Sequence, residues 1–280
     1  MVVKRLVVAL VAAAALVLAS ATAGWAAPSP TGSANAMGYY LALGDSLAAG
    51  YQPTTGVDRD GGYTGDVLAG IQATRPKTRL VNLACPGERS TTMVSGGVCA
   101  YDEGNQLDQA LEFLHAHGRN TRVVTVQVGA NDVQRCVDRS TLAIDPVCIQ
   151  AGMADVATYL PMILGKVHAE APHAQVVVLN YYNPFLAAWA IGNAQLALQS
   201  AVLQGTLNTI IGVAAASSGS TVADVATAFQ STNWTVPPGG ALPTNVSVIC
   251  ALTWMCSLFD IHANDAGYAL IGRTVVARLG

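Results

Sequence analysis

The sequence predicts an α/β fold in which a parallel sheet of five strands is covered by helices on both faces. Short apolar segments alternate with longer amphipathic segments along the chain, and this alternation is typical of a parallel sheet. The apolar segments are also rich in valine, as in the run RVVTVQV at 122–128. Near-continuous valine runs are typical of strands that are buried on both faces.

The predicted elements follow one another without an internal repeat or a second-domain linker. Five strands are expected at Tyr39–Leu43, Thr78–Leu83, Arg122–Val128, Ala174–Asn180 and Ser220–Val225. Helices are expected at Gly62–Thr74, Asn105–His117, Ala151–Ala169, Ala187–Ala216 and Asp265–Leu279. Pro161 should kink or split the third helix, because proline removes a helical hydrogen bond.

The N-terminal segment has the pattern of a secretory signal peptide. Lys4 and Arg5 precede an uncharged stretch that begins at Leu6 and thins into small residues by Ala27. We therefore expect a signal peptide at 1–26, a flexible leader at 27–37 and one domain at 38–280, in a secreted protein. An uncleaved anchor is the alternative, but a spanning helix needs about 20 strongly apolar residues. No stable membrane span is expected after cleavage.

Charge and composition exclude two classes of protein. Hydrophobic residues make up 52% of the chain and charged residues 11%, so it is not an intrinsically disordered protein. The 14 Lys and Arg against 17 Asp and Glu give a net charge of −3, with no basic run beyond the N-terminal Lys4-Arg5. No nucleic-acid partner is therefore expected.

Six cysteines lie beyond the predicted signal peptide, and an even count in a secreted protein indicates disulfide bonds. The sequence alone permits 15 connectivities. The spacings suggest a pairing of neighbours: Cys85 with Cys99, Cys136 with Cys148 and Cys250 with Cys256. Metal binding is the weaker interpretation, because the chain has no C-x-x-C pair. No metal site is expected.

Polar residues and glycines follow the predicted strands, where an open parallel sheet binds its ligands. Ser46 follows the first strand, Gly87 the second and Asn131 the third, and His262 precedes the last helix. These are the groups that acyl transfer needs. Ser46 would attack an ester carbonyl and His262 would serve as the general base. The oxyanion would be bound by the Ser46 and Gly87 N–H groups and by the Asn131 side chain.

This ordered set of motifs resembles the SGNH/GDSL hydrolase family, in its branch of secreted, disulfide-bonded actinobacterial-type lipases and esterases. GDS after the first strand, a glycine after the second, GAND after the third and the late DIH-x-x-D-x-G-Y carry the resemblance over about 39–279. It implies a flavodoxin-like three-layer α/β/α sandwich, hydrolysis of carboxylic esters, and neither a metal nor an organic cofactor. Ser46, Gly87, Asn131 and His262 match the family's four named positions.

One position departs from the family pattern. The acid that orients the histidine usually lies three residues before it, but that position holds Phe259 here, and Asp260 lies two residues before His262. Two arrangements are open. Either Asp260 reaches His262, or a backbone carbonyl near Phe259 replaces the carboxylate and leaves a Ser-His dyad.

The function expected is that of a secreted lipase or esterase, a monomer that acts on a small-molecule or lipid ester. The alternatives are a carbohydrate O-acetyl esterase and a non-catalytic secreted or surface-anchored binding module on the same scaffold. An α/β-hydrolase is disfavoured, because the chain has no G-x-S-x-G motif. Asp45 and Asp132 are interpreted as structural, and Phe185 and Trp189 as core residues rather than part of an acyl pocket.

Overall fold

Five parallel strands form the centre of a computed structural model of the chain. Their bounds are β1 (Gly38–Gly44), β2 (Thr78–Asn82), β3 (Thr121–Gln127), β4 (Gln175–Leu179) and β5 (Thr221–Ala223). Their order in the sheet is β2-β1-β3-β4-β5. This is the flavodoxin-like order, in which the chain reverses direction across the sheet between β1 and β3.

The structure describes residues 37–138, 141 and 143–280, and these belong to one compact unit. The predicted signal peptide at 1–26 lies outside the described residues, as does the predicted leader at 27–37 apart from Met37.

Helices connect the strands and cover both faces of the sheet. The α-helices are α1 (Gly62–Gln72), α2 (Thr92–Ser95), α3 (Gln106–His117), α4 (Ala130–Gln134), α5 (Pro146–Glu170), α6 (Ala194–Ser218), α7 (Val225–Ala228), α8 (Thr244–Leu252), α9 (Met255–Leu258) and α10 (Asp265–Val276). A 3₁₀ helix at Pro184–Ile191 precedes α6. Helix α1 packs against α10, while α3 packs against α5 and α5 against α6. Because right-handed crossovers place these two groups on opposite faces, the fold is a three-layer α/β/α sandwich, as the sequence predicts.

The buried faces of the helices complete the core on either side of the sheet. On α5, Val156, Leu160, Ile163 and Val167 are fully buried at helical spacing. Helices α5 and α6 are each long and apolar enough to cross a membrane by length and composition alone. Core helices of globular domains share that property, and the packing of α5 on the sheet accounts for its apolar face.

Helix α5 starts earlier than predicted and is not split at Pro161. It begins at Pro146 rather than 151, since the Asp145 side chain accepts from the N–H groups of Val147 and Cys148 and proline suits the first helical turn. Pro161 lies inside the helix without dividing it. The carbonyl that loses its helical donor belongs to Ala157, which is exposed, so water can satisfy it.

The predicted helix at 187–216 is two helices in the structure. Gly192 adopts a left-handed conformation (φ 85°) that ends the 3₁₀ helix, and the Asn193 side chain accepts from the Leu196 N–H to cap α6. The prediction overlooked this stop-and-cap pair because the residues on both sides are apolar. The break leaves the 3₁₀ helix free to run along the carboxyl edge of the sheet.

Candidate active site

Ser46 lies in the turn that follows β1, at the switch point of the sheet. Gly44 ends the strand with a φ of 145°, where a Cβ atom would collide with the Gln127 carbonyl oxygen on β3. Only glycine permits this approach. The Asp45 carboxylate then accepts from the Leu47 N–H at 2.9 Å and closes a local turn around Ser46.

Ser46, His262 and Asp260 form a continuous chain of contacts. The His262 Nε2 atom lies 2.8 Å from the Ser46 Oγ atom, and its Nδ1 atom lies 2.7 Å from the Asp260 Oδ1 atom. The same carboxylate oxygen accepts from the backbone N–H of His262 at 2.9 Å. The side chains of His262 and Asp260 are only 12% and 25% exposed. Of the two arrangements left open by the sequence, the structure has the one in which the Asp260 carboxylate contacts the imidazole.

The segment that carries His262 is held on both sides. The Tyr182 hydroxyl donates to the Ile261 carbonyl at 2.7 Å, and the Trp254 N–H donates to the His262 carbonyl at 2.9 Å. The Tyr51 ring packs against the imidazole at a centroid distance of 4.5 Å. These contacts fix the position of the imidazole relative to Ser46.

The three candidate oxyanion donors come from three separate segments: Ser46 and Gly87 lie in loops, and Asn131 lies in the first turn of α4. Asn131 lines the same cleft as Ser46 and His262, and its Nδ2 atom donates to the Glu88 carbonyl at 3.0 Å. Gly87, which is not part of that cleft lining, directly precedes Glu88 and has a φ of 84° that favours glycine. Within the described residues, neither the Ser46 N–H nor the Gly87 N–H donates to a protein acceptor. These two backbone N–H groups are therefore available to a ligand.

Three buried acids lie near Ser46: Asp45, Glu88 and Asp132. Burial, with a smaller contribution from the neighbouring carboxylates of Asp132 and Glu88, raises the pKa of Asp45 to about 7 against the lowering effect of its hydrogen bonds from Tyr181 and Leu47. Burial also raises the pKa of Glu88 and of Asp132. Asp132 accepts from both the N–H and the hydroxyl of Ser90, at 2.9 and 2.7 Å. The bonds of Asp132 therefore join α4 to the loop of Ser90, whereas Asp45 bonds the N–H of Leu47, two residues further on, as a structural role near its own backbone predicts.

Gln106 is a residue of the site that sequence reasoning missed. Its Oε1 atom accepts from the Gly44 N–H at 2.6 Å, and its Nε2 atom donates to the Gly44 carbonyl at 3.0 Å and to the Glu88 carboxylate at 3.1 Å. One buried side chain on α3 thus joins the end of β1 to the loop that carries Gly87. The sequence carries no signal for this role, because a glutamine at the start of an amphipathic helix is ordinarily exposed and the burial of Gln106 is visible only in the structure.

A cavity of about 420 Å³ opens beside the cleft that Ser46, Asn131 and His262 line. Gln134, Ile261 and His262 line both the cavity and the cleft. Phe185 is half-buried and lies in the wall of this cavity. The 3₁₀ helix turns Phe185 toward the carboxyl edge of the sheet. Trp189 packs against Trp234 at a centroid distance of 5.6 Å.

The cysteines pair as neighbours in the structure: Cys85–Cys99, Cys136–Cys148 and Cys250–Cys256. The first closes the loop of Gly87 and Glu88, and the third joins α8 to α9 ahead of Asp260. Among residues 37–138, 141 and 143–280, no group of three or more His, Cys, Asp or Glu side chains is placed to hold a metal ion.

Comparison with known proteins identifies the family of the chain. The model of the GDSL-like lipase/acylhydrolase family matches residues 42–270. No curated protein sequence matches the chain.

Three solved structures share the fold at low sequence identity. Axe2, an acetylxylan esterase from Geobacillus stearothermophilus, has a TM-score of 0.53 and 17% identity over 88% of this chain and 96% of its own. An α/β hydrolase enzyme from the metagenome of Lake Arreo, Spain, has a TM-score of 0.53 and 18% identity over 87% and 95%. Phospholipase A1 from Streptomyces albidoflavus NA297 has a TM-score of 0.51 and 21% identity over 86% and 98%.

The TM-scores above 0.5 establish a common fold. The family model spans most of the chain, including the segments of Ser46, Gly87, Asn131 and His262. The chain therefore belongs to the GDSL-like lipase/acylhydrolase family and is a carboxylic ester hydrolase.

Proposed function

We propose that the protein hydrolyses carboxylic esters through an acyl-enzyme on Ser46, with His262 as general base and Asp260 as the acid that orients it. The observation that carries this proposal is the chain of contacts from Asp260 through His262 to Ser46, at 2.7 and 2.8 Å. Such distances are those expected of a nucleophile, its base and the group that orients the base.

In the acylation half-reaction, a neutral imidazole protonated at Nδ1 donates to Asp260 and accepts the Ser46 hydroxyl proton at Nε2. The Ser46 Oγ atom bonds to the ester carbonyl carbon, and the carbonyl oxygen becomes an oxyanion. Collapse of this intermediate breaks the bond to the alcohol oxygen, which takes the proton from His262 and leaves.

The oxyanion is bound by the N–H groups of Ser46 and Gly87 and by the side-chain amide of Asn131. The two backbone donors have no acceptor within the described part of the fold, so they are available at no cost in lost protein hydrogen bonds. The Asn131 amide uses one hydrogen on the Glu88 carbonyl, which orients the other toward the cleft.

Deacylation repeats the sequence with water. His262 takes a proton from a water molecule whose oxygen attacks the acyl carbon, and the Ser46 Oγ atom leaves and regains the proton. The carboxylic acid is released and the enzyme returns to its starting state.

We also propose that the chain is secreted after removal of residues 1–26. Three disulfides are compatible with an extracellular protein, because oxidising compartments preserve them. N-terminal sequencing of the protein recovered from culture medium checks this, and a mature chain that still begins at Met1 would contradict it.

The catalytic proposal is tested with Ser46→Ala and a serine-directed phosphonate. Wild type should hydrolyse p-nitrophenyl butyrate and take up one phosphonate on Ser46, located by mass spectrometry. Ser46→Ala should lose at least about 10⁴-fold in kcat and all labelling. Ser95→Ala is the matched control, since Ser95 is exposed and away from the cleft. A folded wild type with neither turnover nor labelling would favour a binding module.

A further inference from the structure

We propose that the cavity beside His262 is a subsite for a hydrocarbon chain of the ester, so that the preferred substrate is a lipid ester and not an acetylated carbohydrate. This inference rests on the proposed function, because it assigns the substrate of the same site. It makes Ala190 and Ile191 specificity-determining positions.

Continuity with the reacting groups is the first argument. The cavity shares His262, Ile261 and Gln134 with the cleft that holds Ser46. An ester whose carbonyl carbon lies at Ser46 therefore has the cavity within reach of its acyl or its alcohol part.

Size is the second argument. A volume of about 420 Å³ falls within the roughly 300–1,000 Å³ of pockets that enclose drug-sized ligands. The two carbons of an acetyl group would leave almost all of this space to water. A chain of several methylenes would displace that water from apolar walls, which is favourable in proportion to the area covered.

The chemistry of the walls is the third argument. Apart from His262 and Asp260, Gln134 is the only polar side chain among the described lining residues, while Cys256 is held in a disulfide. Sugar hydroxyls need several hydrogen-bonding partners when they are buried, because an unpaired polar group loses its bonds to water. The cavity offers few such partners and many apolar carbons.

The 3₁₀ helix and the α9 segment supply most of the residues that line the cavity. The 3₁₀ helix supplies the small side chains of Ala187, Ala188 and Ala190, which leave the space open, while Met255 and Phe259 lie across from them. At the mouth, Ile191 is 63% exposed and Phe259 is 75% exposed. Exposed apolar groups that rim an apolar cavity are typical of a binding site for apolar ligands.

The hydrocarbon chain can belong to the acid or to the alcohol of the ester, and two substrate series distinguish these sources. In the first, p-nitrophenyl acetate, butyrate and octanoate vary the acyl chain. In the second, ethyl, butyl and octyl acetate vary the alcohol chain. All are used below the concentration at which they aggregate. Each buried methylene accounts for about a fourfold gain in kcat/KM. We expect a rise of at least about tenfold from the shortest to the longest ester in one of the two series.

Ala190→Phe tests the assignment, because the added ring would fill the cavity from an exposed position. It should lower the ratio of kcat/KM for the long ester to that for the short ester at least about tenfold. Ala157→Phe adds the same ring to an exposed position on α5 and should leave both values unchanged. Ile191→Asp is the second variant, used in case Ala190→Phe does not fold. It places a carboxylate at the exposed mouth of the cavity and should lower the same ratio.

A wild-type profile that is flat or falls with chain length in both series, with full activity on acetate esters, would overturn the subsite and leave the catalytic proposal intact. An unchanged ratio in folded Ala190→Phe and Ile191→Asp would overturn it as well. Absence of turnover on every ester, with Ser46 unlabelled, would instead refute the catalytic proposal.

Discussion

The Tyr181 hydroxyl donates a hydrogen bond of 2.6 Å to the Asp45 carboxylate, directly before the nucleophile. Tyr181 follows β4 and Asp45 follows β1, and β3 lies between these two strands in the sheet. The bond therefore joins two loops of the site at the carboxyl edge. Burial raises the pKa of the Tyr181 hydroxyl well above its usual value and that of Asp45 to about 7. Since Ser46 is the next residue, the protonation of Asp45 is linked to the stability of the turn that presents the nucleophile.

Replacement of Asp45 by asparagine should change how stability depends on pH. The folded-state pKa of about 7 lies above the usual 3.8, so between these values the folded protein binds a proton that the unfolded chain has lost. The free energy of unfolding of wild type should therefore fall as pH rises from about 4 to about 7, by on the order of 2–4 kcal/mol, and then level off. Urea unfolding at a series of pH values measures this.

In Asp45→Asn that fall should be clearly smaller, because the amide keeps an acceptor for the Leu47 N–H and does not titrate. The fall that remains comes from Glu88 and Asp132, whose pKa values are also raised. Asp102→Asn serves as the control, because Asp102 is exposed. Parallel pH profiles of wild type and Asp45→Asn would show that this carboxyl does not govern the linkage.

Asp260→Asn should lower kcat by up to about 10⁴-fold on p-nitrophenyl butyrate, with little change in KM. The amide would donate to the Nδ1 atom of His262 and so favour the tautomer in which Nε2 cannot accept the Ser46 proton. Asp102→Asn should have wild-type turnover. A decrease of less than about tenfold would mean that a backbone carbonyl orients the imidazole and that the 2.7 Å contact of Asp260 is not required.

Asn131→Ala should lower kcat by about 10²–10³-fold, because an oxyanion donor acts mainly in the transition state. The loss should appear in kcat and kcat/KM alike. Asn120→Ala, at an exposed position on the opposite end of β3, is the matched control. An increase in KM without a decrease in kcat would indicate that Asn131 binds ground-state substrate instead.

Gln106→Leu should reduce both stability and turnover. The substitution leaves the Gly44 N–H without its acceptor, while the Gly44 carbonyl keeps the bond from the Cys85 N–H. An unsatisfied buried group costs about 1–3 kcal/mol. Because Gly44 sets the position of Ser46, kcat should fall while KM changes little. Gln109→Leu on the same helix is the control, since Gln109 makes only a long contact of 3.4 Å with the Glu103 N–H. A loss of stability with unchanged kcat would confine Gln106 to a structural role.

Removal of the Cys85–Cys99 disulfide by double alanine substitution should cost about 3 kcal/mol in the free energy of unfolding. It should also lower kcat, because this disulfide closes the loop that carries Gly87 and Glu88. The Cys136–Cys148 pair, with a similar separation of 12 residues, supplies the matched double variant. That variant should lose similar stability and keep more of its turnover. Equal loss of kcat in both would show that the first loop holds its position without the disulfide.

The sequence was sufficient to predict the fold because its local signals agree with the tertiary structure. Valine-rich strands and amphipathic helices alternate along the chain, as a three-layer sandwich requires. The residues that follow β1 and β3 lie close together because these strands are parallel neighbours whose carboxyl ends meet at one edge of the sheet. Pro161 does not split its helix, and the Ala157 carbonyl that lacks a donor is exposed to solvent. The break at Gly192–Asn193 was missed because the cap lies between apolar segments.

The supporting contacts of the site were beyond sequence reasoning, because they join residues that are distant along the chain. Tyr181 and Asp45 are separated by 136 positions, and Gln106 and Gly44 by 62. The placement of Asp260 also depends on Phe259, which ends α9 in a left-handed conformation with φ 53°. A phenylalanine gives no sign of that conformation in a sequence, since the left-handed region favours glycine and asparagine.

The spacing of Asp260 and His262 has a consequence for how this site tolerates change. One carboxylate oxygen accepts both from the backbone N–H and from the ring of the same histidine, only two residues away. Acid and base are therefore joined by contacts within three consecutive residues, and a displacement of this segment moves both groups together. Changes in the preceding segments should accordingly alter the distance from His262 to Ser46 before they alter the contact between Asp260 and His262.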